Sequence, residues 1–496
     1  MVAELTICTA LRVESAAVRA PAATRVVRTG MGPRRAARSL GRLGDNGPVA
    51  MLGVAGGVAP TVQVGDVVVA TEVRHADRAV TCPSAPLLAG ELRRAGFRVH
   101  LGPIATSDSL LGKEKLAELA STGVLAVDME SAVVGAAVGG ERPFAVVRVV
   151  TDTIAEPIWR PDIVGRGWRA LRTLRAVVPF VGRWAAAAGE RSVHLASPRS
   201  FCAGVERAIE IVERALDRYG APVYVRRQIV HNAHIVGDLQ ARGAIFVEEL
   251  DEVPVGARVI LAAHGVTPAV RAEAVARRLQ VVDATCPLVA KVHAEVRRYA
   301  AADHTVFLIG HGDHEEVVGT VGEAPDRVVV VDDLAAASRA TAADADRVAY
   351  VMQTTLAVDE AEQIAGALRS RYPQLVAPRQ DDICYATSNR QLAVRDIAAD
   401  CDVVLVVGST NSSNSLRLVE VAERAGVAAY LVDDASDVRL DWITGARSVG
   451  ITAGASAPPR LVDELVGCLG GLGTIDLHEH HSVSEDVTFT LPREVS

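Results

Sequence analysis

Short Val, Ile and Leu runs alternate with longer amphipathic stretches from one end of the chain to the other. Unbroken apolar runs mark strands buried on both faces, and the amphipathic stretches between them supply crossover helices. The pattern therefore predicts an α/β protein built on largely parallel sheets. Near the middle, Ala170 to Trp184 reads as a helix, Ala185 to Arg191 as a small-residue joint and Val193 to Ala196 as a new strand. Such a joint predicts two domains, residues 1–188 and residues 193–496.

The second half repeats one local design: an apolar strand, a loop of small, hydroxylated or imidazole residues, then a helix. Eight such loops follow one another, from Ser197–Gly204 to Thr452–Pro458. In open α/β sheets ligands bind beyond the carboxyl ends of the strands, where helix N-termini offer free amides to anions. The loops are thus expected to converge on one site shared by several similar subdomains.

Three of the seven cysteines lie in these loops: Cys202, Cys286 and Cys384, at successive separations of 84 and 98 residues. Each interval is about one α/β subdomain, so each subdomain would donate one thiolate. A cubane cluster usually takes four; three would leave one iron open to substrate. The other reading is a set of small buried apolar residues, the usual fate of a free cysteine. That second reading applies to Cys8, Cys82, Cys401 and Cys468, which lack polar company.

The loop cysteines have such company. His231, His264, His314 and Glu316, with Thr354, Thr355, Ser412, Ser413, Asn414 and Ser456, occupy the neighbouring loops. Imidazoles, hydroxyls and amides on strand ends can grip a diphosphate without a metal. Glu316 is the natural proton donor, since a carboxyl in an apolar pocket beside an anion has a raised pKa.

At this level the match is to a family. Phe-Cys-Ala-Gly-Val, Val-His-Asn, Ala-His-Gly-Val, Asp-Ala-Thr-Cys-Pro, Gln-Thr-Thr-Leu, Asp-Asp-Ile-Cys-Tyr-Ala-Thr, Gly-Ser-Thr-Asn-Ser-Ser-Asn-Ser and Thr-Ala-Gly-Ala-Ser-Ala-Pro occur in the family's order. From about Val193 to Pro492 the chain resembles the 4-hydroxy-3-methylbut-2-enyl diphosphate reductases, the terminal enzymes of the methylerythritol phosphate route to isoprenoids. The resemblance implies a three-lobed α/β region around one 4Fe-4S cluster held by Cys202, Cys286 and Cys384. It implies diphosphate binding by His231, His264, His314, Ser412, Ser413, Asn414 and Ser456, orientation of the substrate hydroxyl by Thr354, and proton delivery by Glu316. It also implies a ferredoxin or flavodoxin as electron donor. The family commonly has proline before the acid; here Glu315 stands there.

The first half carries a strand Leu5 to Ala10 followed by Glu14, then Thr29-Gly-Met-Gly-Pro, Gly53-Val-Ala-Gly-Gly-Val, Thr106-Ser-Asp, Val127-Asp-Met-Glu-Ser and a strand ending in Thr151-Asp152. Glycine turns after strands let the backbone approach a phosphate or sugar. In this order the motifs resemble the nucleoside phosphorylase and nucleosidase superfamily. The resemblance implies that Glu130 binds ribose hydroxyls, Asp152 protonates a purine leaving group, Glu14 activates water, and the Gly30–Gly32 turn lies near the phosphate or its replacement. The stretch from Arg74 to Arg98 is shorter than in typical members. A hydrolase, a phosphorylase and a non-catalytic assembly domain all remain open, because a fold does not fix a function. Fusion to a region that resembles an isoprenoid enzyme points to a nucleoside-bearing isoprenoid, such as the adenosyl-hopane handled by hopanoid-associated phosphorylases. The superfamily also implies a homo-oligomer.

Composition narrows the classes. Of 496 residues 23% are charged, and the net charge of -8 offers no basic footprint for nucleic acid. No apolar run approaches the roughly 18 residues of a membrane helix, and the early Glu4 does not suit a secretory leader, so a cytoplasmic protein is expected. Seven cysteines without a CxxC pair describe neither a disulfide framework nor a zinc ribbon.

Overall fold

The computed structural model describes residues 4–18, 24–44, 46–140 and 142–496. The chain divides into two compact units. The first comprises Met1–Val193 with Asp434–Val449 and Asp463–His478; the second comprises His194–Asp433, Gly450–Val462 and Glu479–Ser496. No helix among the described residues is long and apolar enough to cross a membrane.

Five strands of the first unit close into a ring. Val49–Gly57 pairs with Ala126–Asp128, which pairs with Val99–Thr106, then Val67–His75, then Phe144–Thr153, which returns to Val49–Gly57. Closure removes sheet edges and buries the ring strands, so the first eight residues of Phe144–Thr153 are all buried. The register between Val49–Gly57 and Phe144–Thr153 shifts between Ala55 and Gly56, which sets Gly56 opposite Asp152. An irregularity of this kind re-aims a side chain at a strand end.

The helix expected over Ala170 to Trp184 runs from Ile163 to Ala186. Its buried stripe, Ala170, Leu174, Val177, Val178, Val181 and Trp184, follows the three-and-four spacing of a helix face. The earlier turns leave Val164 and Trp168 in solvent and give no stripe to read. Trp184 is fully buried, and its indole N–H donates to Ser84 Oγ at 3.0 Å.

Three sheets make up the rest. Ala244–Val247, Val223–Arg226, Arg258–Leu261 and Gln280–Asp283 form a parallel sheet in that order. Val328–Val331, Thr305–Ile309 and Val348–Met352 form a second. In the third, Val403–Val407 pairs in parallel with Ala428–Val432. Strand alternation explains the unbroken apolar runs. Phe307, Ile309, Tyr350 and Met352 enter one core, while Val306, Leu308, Ala349 and Val351 enter another on the opposite face. Both faces of the strand are covered, so both alternating sets must be apolar. The loops at the carboxyl ends of these strands carry the candidate residues.

Candidate active site

Each loop cysteine is the N-cap of a helix: Cys202 of Ala203–Tyr219, Cys286 of Pro287–Ala301 and Cys384 of Tyr385–Ala398. A cap residue has extended backbone and a side chain free to face the strand end, and the helix start favours negative charge there. Each cysteine amide also ties its loop to a second one. Cys202 N–H donates to Ala455 O, Cys286 N–H to Ala263 O at 2.9 Å and Cys384 N–H to Thr354 O at 3.0 Å. The loops bearing Ser456, His264 and Thr354 are thereby stitched one by one to the three thiols.

Those thiols share a cavity of about 110 Å³ with His231, His264, His314, Glu316, Thr354, Ser412, Ser413, Asn414 and Ser456. Every residue expected at the reductase site therefore lines one space. A Cβ on Gly204 would lie 2.9 Å from Cys286 Sγ and 3.8 Å from Cys202 Sγ, so the two sulfurs flank a position that only glycine leaves open. Burial pushes the Cys286 thiol up to about 11 and the Cys384 thiol up to about 12, and the neighbouring Cys202 adds to both. Three crowded soft donors facing one cavity fit a thiolate-bound iron-sulfur group, whose positive iron would reverse that shift. Cys8, Cys82 and Cys468 are buried, and neither they nor Cys401 line this cavity.

Glu316 is 2% exposed and is held by one residue at both oxygens. Thr354 donates its backbone N–H to Oε1 at 2.7 Å and its hydroxyl to Oε2 at 2.9 Å. Burial raises its pKa from the ordinary carboxylate value to about 6, against the opposing pull of the two Thr354 hydrogen bonds. A carboxyl that is part protonated near neutrality, touching a threonine hydroxyl, can pass a proton into the cavity.

The three histidines meet face and edge. His231 stacks on His264 with ring centroids 4.0 Å apart, and His314 stands edge-on to both at 6.0 and 6.1 Å. Burial lowers His231 to about 3 and His314 to about 4, with the nearby His264 adding to each. His231 Nδ1 is buried without a hydrogen-bond partner, as suits a group whose partner is an arriving ligand. His314 Nδ1 caps its own helix by accepting Glu316 N–H at 3.2 Å, which leaves Nε2 for the cavity.

The remaining polar groups form a linked rim. Ser412 caps the helix Ser413–Arg424, Ser456 Oγ donates to His231 O at 3.0 Å, and Asn414 Oδ1 accepts Ala455 N–H at 2.9 Å. Asn414 Nδ2 donates to Thr387 Oγ1, which lies 3.1 Å from Cys384 Sγ. Thr387, Tyr385 and Phe489 also line the cavity and were not singled out from the sequence. Thr387 carried a usable signal, three residues after a capping cysteine. Phe489 carried none, because only tertiary folding brings residue 489 to the strand ends.

The first unit has its own cavity, of about 580 Å³, lined by Glu14, Glu130 and Asp152 among others. Glu14 Oε2 accepts Ala10 N–H and Leu11 N–H, and Oε1 accepts Val54 N–H at 2.8 Å. Three of the roughly four lone-pair sites of a carboxylate are thus used, leaving one for a proton. Glu130 Oε1 accepts the amide of Gly32 at 2.8 Å, so the Gly30–Gly32 turn meets this acid. Burial raises the pKa of both Glu130 and Asp152. Asp152 accepts a hydrogen bond from Thr151 Oγ1 at 2.8 Å, and a Cβ on Gly56 would lie 3.3 Å from its Oδ2. Behind them the fully buried Arg148 pairs with Asp128 and fixes the wall. Met31, Leu110, Ile158 and Trp159 line the same cavity and are exposed, Trp159 by 81%.

Residues 193–470 match the LytB protein family and residues 23–162 match the Phosphorylase superfamily. The 4-hydroxy-3-methylbut-2-enyl diphosphate reductase of Leifsonia xyli is 54% identical over 308 residues, covering 62% of this chain and 91% of the relative. The corresponding reductase of Acidothermus cellulolyticus is 55% identical over 307 residues, covering 62% and 90%. Among solved structures, the E-1-hydroxy-2-methyl-but-2-enyl-4-diphosphate reductase of Plasmodium falciparum is similar with a TM-score of 0.60 and 34% identity, covering 62% of this chain and 97% of that one.

Proposed function

Because the chain belongs to the LytB protein family, we propose that residues 193–496 reduce (E)-4-hydroxy-3-methylbut-2-enyl diphosphate to isopentenyl and dimethylallyl diphosphates. The observation that carries this reading is the single cavity onto which three cysteines, an acid with a raised pKa and three histidines all face. Cys202, Cys286 and Cys384 would hold one 4Fe-4S cluster, which when bound supplies electrons and one iron position free of protein ligands. His231, His264 and His314, with Ser412, Ser413, Asn414 and Ser456, bind the diphosphate through imidazole, hydroxyl and amide donors. Thr354 orients the substrate hydroxyl. Glu316 delivers protons through Thr354, whose hydroxyl it already holds. Two electrons and two protons then remove the hydroxyl as water, the electrons coming from a ferredoxin or flavodoxin.

The test is anaerobic purification with iron and sulfide analysis, together with turnover of the diphosphate by an artificial reductant. About four irons per chain, the number in a cubane cluster, and product formation are expected. A colourless protein that cannot be reconstituted and reduces nothing would make the three cysteines structural.

For residues 1–188 we propose cleavage of the N-glycosidic bond of a purine nucleoside derivative, on the support of the acid-lined cavity. Asp152 protonates the base, Glu130 holds ribose hydroxyls and Glu14 accepts a proton from the attacking water. The exposed apolar residues at the mouth favour a nucleoside with an apolar substituent, consistent with a nucleoside-bearing isoprenoid. Release of free base from adenosine derivatives, abolished by Asp152→Asn, is the expected result. No release from any of them would leave an assembly domain.

A further inference from the structure

Glu315 stands immediately before Glu316, at the first position of its helix. It does not line the 110 Å³ cavity; it lines a separate one of about 30 Å³ together with Arg226, Arg227 and Thr267. From that side it reaches the back of His264. Glu315 Oε2 lies 3.4 Å from His264 Nδ1, and Oε1 lies 3.4 Å from an Arg227 guanidinium nitrogen.

The contact is built into the backbone. Glu315 opens the helix Glu315–Val321, and this helix packs against the loop after His264 through glycines. A Cβ on Gly319 would lie 3.5 Å from Gly265 O, and one on Gly322 would lie 2.5 Å from Thr267 Cγ2. Any larger residue at position 322 would push the helix, and Glu315 with it, away from His264. On the outer side Arg227 is anchored by Glu249, which accepts from it at 3.1 Å and from Arg226 at 2.7 Å. Arg227 has φ +59, a left-handed conformation that an unbranched long side chain adopts only where its surroundings impose it. The result is a chain of contacts, Glu249, Arg227, Glu315 and His264, ending at the cavity wall.

We infer that Glu315 is a positioning residue for the diphosphate site: from outside the cavity it fixes the ring of His264 with Nδ1 turned back and Nε2 turned inward. A carboxylate behind an imidazole fixes its tautomer and orientation in this way. Burial would raise Glu315, but His264, His231 and Arg227 outweigh it and bring it down to about 2, so the carboxylate is present at every working pH. The groups facing His264 are His231, His314, Glu315 and Glu316, with Arg227 beyond Glu315 and His293 beside Gly265.

This inference rests on the reductase reading, and its test separates the two. Wild type, Glu315→Gln and Glu315→Asp are purified anaerobically with their iron, and KM, kcat and inhibition by inorganic pyrophosphate are measured between pH 6 and 9. In Glu315→Gln the KM and the pyrophosphate inhibition constant should both rise about tenfold, the scale of one charge-assisted hydrogen bond. The kcat and iron content should stay within about twofold, because a positioning contact outside the cavity acts on binding rather than on the chemical step. Glu315→Asp should restore part of the affinity. Unchanged KM and inhibition in a fully loaded Glu315→Gln protein would overturn the assignment. So would a fall in kcat alone, which would place Glu315 with Glu316 in proton delivery. A wild-type protein that neither turns over nor binds pyrophosphate would instead overturn the reductase reading, and the inference with it.

Discussion

Replacing Glu316 with Gln should stop turnover while making the folded protein more stable at neutral pH. The carboxyl is buried, and its pKa rises from 4.5 to about 6. A pKa raised in the folded state means that the native protein holds its proton where the unfolded chain has lost it. The associated stability is fully present below the unfolded value and is lost as pH rises through the folded value. The shift corresponds to about 2 kcal/mol, lost between roughly pH 4.5 and 6 and absent above that. Glutamine has nothing to ionise. It can accept the Thr354 amide and donate to the Thr354 hydroxyl, so both contacts at 2.7 and 2.9 Å keep a partner. Denaturant unfolding at a series of pH values, under anaerobic conditions, should show no difference between the proteins near pH 4.5. It should show the variant ahead by about 2 kcal/mol at pH 7 and above. In the same preparations kcat should fall by about 10² to 10⁴, the usual contribution of a general acid, with substrate still bound. Parallel stability curves would refute the buried-charge argument, and near-normal turnover would move proton delivery to another group.

Gly204→Ala should improve helix propensity at the start of Ala203–Tyr219 yet lower iron content sharply, because the new methyl would stand 2.9 Å from Cys286 Sγ, well inside the roughly 3.5–4.0 Å of a comfortable contact; iron analysis and a thermal melt of the same sample test both halves. Cys384→Ser should leave a folded protein without a stable cluster, and full iron with full turnover in that variant would remove Cys384 from the ligand set. Trp184→Ala should cost about 3–5 kcal/mol, since a fully buried indole is deleted and Ser84 loses its donor; the shift in the unfolding midpoint measures it. Asp152→Asn should abolish any release of base while leaving reductase turnover unchanged, read by chromatography of the freed purine.

Strand and helix type were legible because both are written in local periodicity. The strand Thr305–Ile309 reads as one apolar run since its two faces enter two separate cores. The N-terminal limit of Ile163–Ala186 was not legible, because Val164 and Trp168 face solvent and break the apolar stripe that marks a helix face. The cysteines, histidines and hydroxyls could be selected from their loops, and loops at strand ends before helices converge for a topological reason. Phe489 could not be selected, lying in a segment with no such loop around it.

The amino-acid sequence by itself determined the α/β class and the identity of the polar groups, since these follow from residue type and short-range spacing. Distances decided the rest. Only the folded chain places Thr354 on both oxygens of Glu316, sets Cys202 and Cys286 around the open space at Gly204, and turns Glu315 away from the cavity toward Arg227 and His264. Each of these depends on how deeply a group is buried and which partner meets it across long stretches of chain. Desolvation and Coulomb interaction act through space, so no local pattern in the sequence encodes them.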